Sequence, residues 1–329
     1  MERCMSRIPK IFALFAALTL FAAACGDDDS VGSSDAPTIV VTTNILGDVV
    51  ENLTGGVVEV ITIMPVGADP HDFQASAQQV NAMRSAEALI VNGLNFEEGL
   101  LDVIDAAEAD GVPVYEAVSA VSTIEFGAKG HGDHEGHDDH DDEGHDDHGH
   151  SGDDPHFFTD PARMAEAVHG IAEFLIANVD GIDASALEEA AEMYEGELKA
   201  LDTEVANLVD SIPESNRVLI TNHAVFGYFA DRYGLEVAGA IIPSGSTLDG
   251  TSAGELAELA ALIEMEGVLA IFSDTSASEA VAQALADEVG EVAVVALFTE
   301  SLGDADSEGA TYVDMVRTNA QRIADALAS

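Results

Sequence analysis

Positive charge is what this sequence has least of. Among 329 residues, 11 are Lys or Arg against 62 Asp or Glu, a formal net charge of −51. That balance excludes a nucleic-acid partner, because phosphate backbones are held by clustered Lys and Arg. Trp is absent and aromatic residues make up only 5%, so a core must be built from Ala, Val, Leu and Ile. Cysteine is almost absent too, with Cys4 and Cys25 alone, which leaves no disulfide framework to stabilise a small fold. What is present excludes disorder: 47% of residues are hydrophobic and the mean hydropathy is +0.15, unlike a charged, apolar-poor unfolded chain. The length fits about two domains. An acidic surface of this kind concentrates cations, which makes a cation the natural ligand to look for.

The N-terminus indicates a compartment. Arg3, Arg7 and Lys10 precede an apolar run of 14 residues, Ile11 to Ala24, that closes on Ala22-Ala23-Ala24-Cys25. A basic start, a short apolar stretch and small residues before a cut describe a signal peptide, and the run is too short to span a bilayer, which takes about 20 residues. Cys directly after the small residues reads as a lipobox, although Ala22 stands where Leu is usual. Residues 1–24 are thus expected to be a lipoprotein signal peptide, Cys25 the lipidated first residue, and 25–37 a flexible tether rich in Asp, Ser and Gly. The expected location is extracytoplasmic, anchored by lipid to the cell membrane; simple secretion is the alternative. Cys4 leaves with the signal, so the body folds on its core alone.

From residue 38 onward, short apolar runs alternate with longer amphipathic stretches. Strands are predicted at Thr38–Thr43, Glu59–Met64, Ala88–Asn92 and Val112–Tyr115, then again at Val218–Thr221, Glu236–Ile241, Val268–Phe272 and Val292–Leu297. Helices are expected between them, as at Leu46–Leu53 and Ser76–Ser85. Buried β-rich runs separated by helices make βα units and parallel sheets. The prediction is an α/β fold of two similar lobes, residues 38–180 and 212–329, each a parallel sheet flanked by helices. Between the lobes, Leu187, Ala191, Tyr194, Leu198, Leu201, Val205 and Leu208 fall at alternating spacings of four and three. That is one apolar stripe on a helix of about 28 residues, roughly 42 Å long, so 181–211 is expected to be a long helix joining the lobes.

Histidine carries the chemical signal. Seven of the 11 His fall in one acidic, Gly-rich window within residues 130–152: His131, His134, His137, His140, His145, His148 and His150. A segment so poor in apolar residues cannot repay its ordering entropy and reads as a loop. Imidazole interleaved with carboxylate suits Zn²⁺, Ni²⁺ or Cu²⁺ in weak, overlapping sites. Of the remaining four, His169 lies inside a predicted helix without a flanking motif and reads as structural. His71 follows the second strand in Asp69-Pro70-His71, His156 sits in Asp154-Pro155-His156 and His223 ends the first strand of the second lobe in Thr221-Asn222-His223. Ligands of open α/β sheets bind beyond the carboxyl ends of strands, where these three residues fall.

The segments PVGADPHDF, DPHFFTDP, TNHAVFGYFADRYGL and LFTESLGD, in that order, resemble the zinc/manganese-type solute-binding lipoproteins of ABC importers, and the resemblance covers essentially the whole mature chain. It implies one metal ion in the cleft between the lobes, held by His71, His156, His223 and Glu300. Phe158 stands where that family usually has Trp, and Glu300 where Asp is commoner. Asp274, at another strand end, is the reserve for the fourth position. The resemblance further implies a membrane ABC permease and its ATPase subunit as partners, a monomer, and no enzymatic activity.

Three imidazoles and one carboxylate suit tetrahedral Zn²⁺. Mn²⁺ favours more oxygen donors, and manganese members of the family usually have an acidic residue in place of His223. Zinc is therefore the expected ion and manganese the alternative. The expected mechanism is capture and handover: the ion enters the cleft, ligands from both lobes close on it, and the loaded protein docks on the permease. Two other readings exist. A secreted zinc hydrolase needs an open coordination position and a general base, as in HExxH, and that motif does not occur. A surface zinc-storage or adhesin protein would act through the His-rich loop alone.

Overall fold

The computed structural model describes residues 36–127, 152–290 and 292–328. The expected signal peptide, Cys25 with its expected lipid, most of the expected tether and the seven-histidine window lie outside the described residues. Eight strands appear among those described, each overlapping a predicted one, in two parallel sheets. The first is ordered β2-β1-β3-β4, from β1 (Thr38–Val41), β2 (Glu59–Thr62), β3 (Ala88–Val91) and β4 (Val114–Glu116). The second repeats that order as β6-β5-β7-β8, from β5 (Val218–His223), β6 (Glu236–Ile242), β7 (Ala270–Asp274) and β8 (Ala293–Leu297). Each parallel step is bridged by a helix: α1 (Asn44–Thr54), α2 (Ala77–Arg84) and α3 (Leu101–Ala109) in the first lobe, α6 (Gly227–Tyr233), α7 (Ala253–Glu266) and α8 (Ala280–Val289) in the second.

Helix starts are written into the sequence as side-chain caps. Thr43 accepts the Leu46 N–H at the head of α1, while Ser76 with Gln79 and Ser252 with Glu255 form reciprocal capping boxes for α2 and α7. Asp160 caps α4 (Pro161–Asn178), with Pro161 in the first turn where its missing N–H costs nothing. Asp183 caps α5 (Ala184–Asp210), the 27-residue helix that the apolar stripe foretold.

Strand alternation decides which core each side chain joins. In the first sheet Ile39, Val41 and Ile90 face one cluster and Val40, Leu89 and Val91 another; in the second, Leu219 and Phe272 face the first cluster and Ile220 and Ile271 a third. The shared cluster takes in the inner faces of both sheets together with α1, α4, α5 and α9 (Tyr312–Leu327). Helix α5 packs on α1, α4 and α9. Its buried stripe runs Leu187, Ala191, Tyr194, Leu198, Leu201, Val205 and then Val209, with Leu208 only half-buried. The alternating spacing averages 3.5 residues, so against a 3.6-residue helix the face drifts, and by the seventh position it has moved on by one residue.

Candidate metal centre

The expected residues arrive at the cleft by different routes. His223 is the last residue of β5 and shares a strand face with Leu219. Glu300 follows β8 by three residues, and His71 lies in the loop between β2 and α2. His156 caps a short 3₁₀ turn, Phe157–Thr159, ahead of α4. His71 and His156 stand in the same local device. In each Asp-Pro-His, the Asp side chain accepts the backbone N–H of the His two residues on: Asp69 Oδ1 from His71 and Asp154 Oδ1 from His156, both at 2.9 Å. This Asx turn, with φ fixed by the intervening Pro, sets the direction in which the imidazole leaves the backbone.

The structure brings His71, His156, His223 and Glu300 into one group, with a ligand atom from each within 4.8 Å of every other. All four are buried, at 0–3% exposure. Three imidazole Nε2 atoms converge on one oxygen, Glu300 Oε1, at 2.9 Å from His71, 3.2 Å from His156 and 3.1 Å from His223. For a tetrahedral zinc with bonds of about 2.0–2.1 Å, neighbouring donors are about 3.3 Å apart. The separations to Glu300 are close to the edges of that tetrahedron. His71 and His156 hydrogen-bond the carboxylate. His223 Nε2 is near enough to Glu300 for an ion pair, and its Nδ1, buried on the far side of the ring, has no hydrogen-bond partner among the described residues. A polar nitrogen kept dry and unpaired in a core is costly.

Carboxylates behind the ring complete the arrangement. Asp154 Oδ1 lies 2.7 Å from His156 Nδ1, and Glu98 Oε1 lies 3.1 Å from His71 Nδ1. A carboxylate can only accept, so each Nδ1 carries a proton and each Nε2 is the atom offered to the centre. Phe96 packs edge-on against His71 and His156, at centroid distances of 5.2 and 5.5 Å. Phe158 does the same to His156 at 5.9 Å, so this ring, which stands where the resembled family usually has Trp, is a wall of the site and not a donor.

Without an ion, the site holds protons. Burial lowers the His156 pKa, but the Asp154 charge and the hydrogen bonds to Asp154 and Glu300 outweigh it, and the ring is pushed up to about 9. His71 is likewise raised: burial opposes, while the hydrogen bond and charge of Glu300 prevail. Burial would raise Glu300, yet the coulombic pull of His223 and the hydrogen bonds from His156 and His71 hold it well below the usual carboxylate range. The centre is therefore an ionised carboxylate surrounded by imidazoles, a set that a divalent cation can enter by displacing protons. A cavity of about 410 Å³ lies beside it, lined by His71, Glu98, Asn95, Phe126, Asp153 and Ser246 among others.

Asp274 falls outside the group. It is buried at the end of β7, accepts the Ser276 N–H at 2.8 Å, and burial raises its pKa. His169 is exposed on α4, 3.4 Å from Glu173 and 3.6 Å from Glu195. Glu98 and the orienting role of Asp154 were missed from sequence. Asp154 had a signal in the repeated Asp-Pro-His; Glu98, 27 residues beyond His71, had none.

Such a cage can hold one divalent cation away from water with all its donors supplied by protein. Residues 39–326 match the family described as zinc-uptake complex component A, periplasmic (ZnuA). The chain belongs to this family of metal-binding, substrate-binding components of ABC transporters. It is 30% identical over 324 residues to the zinc-binding protein TroA of Treponema pallidum, covering 94% of this chain and 95% of TroA. It is 26% identical over 305 residues to the manganese-binding lipoprotein MntA of Halalkalibacterium halodurans, covering 92% and 93%. The solved structure of periplasmic TroA from Treponema pallidum superposes with a TM-score of 0.76 at 29% identity, covering 89% of this chain and 99% of that one.

Proposed function

We propose that this protein captures Zn²⁺ outside the cytoplasm through His71, His156, His223 and Glu300 and delivers it to a membrane ABC permease and its ATPase subunit. The observation that carries the reading is the convergence of three Nε2 atoms on Glu300 Oε1. Zinc is favoured over manganese by the donor set, since three nitrogens and one carboxylate are softer than a manganese site requires. The TroA relative is named for zinc, and the MntA relative for manganese, so manganese is the second reading. The ion is cargo: four protein donors leave no open position for a reacting water. In the same reading Cys25 carries the lipid anchor, the chain acts as a monomer, and the loop within 130–152 collects zinc weakly through His131, His134, His137, His140, His145, His148 and His150.

Zinc stoichiometry and affinity, measured on protein lacking residues 1–25 and 130–152 with manganese as competitor, test this. One tight zinc that resists manganese and is lost in His223→Ala is the expected result. Absence of a tight zinc would transfer the function to the loop and make storage or adhesion the leading reading.

A further inference from the structure

The residue after Glu300 does something that the metal cage does not account for. Ser301 is buried, and its Oγ accepts the Gly67 N–H at 2.7 Å and the Asn44 Nδ2–H at 3.0 Å while donating to the Leu302 carbonyl at 2.9 Å. A hydroxyl has one donor and two acceptor positions, so this one is fully used. Asn44, the first residue of α1, also donates from Nδ2 to the Pro65 carbonyl at 3.2 Å and accepts the Leu302 N–H on Oδ1 at 2.8 Å. Pro65 and Gly67 belong to the loop that carries His71, and Ser301 and Leu302 to the loop that carries Glu300. Two side chains therefore tie together the loops bearing one donor from each lobe. They span sequence separations of 234 to 258 residues, and among the described residues neither side chain hydrogen-bonds any of the four donors.

We propose that Asn44 and Ser301 are positioning residues, a latch that keeps the His71 and Glu300 loops together and so sets how fast a bound metal leaves. The inference rests on the proposed binding of zinc at this site. With the latch made, opening the cleft between His71 and Glu300 requires breaking the Ser301 bonds to Gly67 and Asn44 together with the Asn44 bond to Leu302. With it broken, the donors keep their identities and Asx turns, but the two loops part more readily. Arrival of zinc depends on the cavity beside His71, which the latch does not line, so the effect falls on dissociation.

The test is zinc release from the full chain, loaded with zinc alone and mixed rapidly with excess chelator. Weakly held zinc leaves in a fast phase, and the cage is read in the slow one. Ser301→Ala and Asn44→Ala are each expected to speed the slow phase about tenfold, the scale of one or two neutral hydrogen bonds. Association should change less than twofold, and the metal-free melting temperature should stay within about 3 °C of wild type. Each change leaves one cross-loop bond standing, Asn44 to Leu302 in Ser301→Ala and Ser301 to Gly67 in Asn44→Ala, while both remove the shared Asn44–Ser301 bond. The double variant should therefore release zinc faster than either single one but by less than the product of the two effects. Slow phases within threefold of wild type in both single variants, or effects that multiply in the double variant, overturn the latch. A wild-type protein without any slow phase overturns the zinc-binding reading itself, and the latch with it.

Discussion

Asp154 grips His156 twice with one oxygen: Oδ1 lies 2.7 Å from the ring Nδ1 and 2.9 Å from the backbone nitrogen of the same residue. The first contact decides which ring nitrogen is offered to a metal, and the second decides where the ring points. Both are made at zero exposure of His156, where water cannot substitute for either.

Asp154→Asn separates the two contacts. The amide oxygen can still accept the backbone N–H, so the turn should survive, but the charge behind the imidazole is lost. Zinc affinity should fall about 10- to 100-fold, the usual cost of removing a carboxylate behind a ligating His. Asp69→Asn, whose Oδ1 accepts only the His71 backbone N–H among these contacts, should cost less. Competitive titration against a chelator of known affinity compares the two; equal losses would assign Asp154 to turn formation only.

His223→Glu should move the preference between ions. An oxygen donor replaces a buried imidazole whose Nε2 lies 3.1 Å from Glu300, and harder donors favour Mn²⁺ relative to Zn²⁺. The ratio of zinc to manganese affinity is expected to fall at least tenfold. An unchanged ratio would mean that His223 does not face the ion.

Proton release should accompany loading. His71 and His156 have raised pKa values in the metal-free protein, His156 to about 9, so at pH 7.5 their Nε2 protons must leave for a cation to bind. Calorimetric titrations in buffers of different ionisation heat should show at least one proton released per zinc. Affinity should weaken as pH falls from 9 toward 6.

Stability of the metal-free protein should run the other way. A His whose folded pKa is raised contributes stability below its unfolded value, about 6.5, and loses it as pH climbs through the folded value. Melting temperature without metal should therefore fall between about pH 6.5 and 9. Glu300, with its folded pKa depressed, contributes above about 4.5 and is lost as pH drops below that. A metal-free melting temperature that rises from pH 6.5 to 9 would contradict the imidazole–carboxylate pairing.

Leu198→Ala tests the core. Leu198 is fully buried on α5, in the cluster shared by both sheets, so truncation should cost about 2–5 kcal/mol. Because one cluster joins the two lobes, calorimetry should show a single transition at lower temperature. Two separated transitions would mean that the lobes unfold independently.

Much of this was legible before any tertiary structure. All eight strands announce themselves as short apolar runs, because a parallel strand covered on both faces needs apolar side chains throughout. Helix α5 is visible because a long amphipathic stripe has no other stable form, and only its last turn, Val209 in place of Leu208, needed the true helical pitch. Three of the donors stand next to strong local punctuation: two Asp-Pro-His turns and a strand end. Glu300 is different. In a chain with 62 acidic residues, nothing local distinguishes it, and resemblance to a family was required to single it out. Glu98, Ser301 and Asn44 escaped altogether.

The sequence by itself determined the elements, their repeated order, the abundance of negative charge and the three histidines to propose as donors, since each depends on residues within a few positions of one another. Tertiary structure decided which carboxylate faces the imidazoles, that Glu98 stands behind His71, and how the two lobes are tied. Those relations join residues 27 to 258 positions apart. They exist only after two sheets have packed their inner faces around one core and turned the carboxyl ends of their strands toward a common cleft.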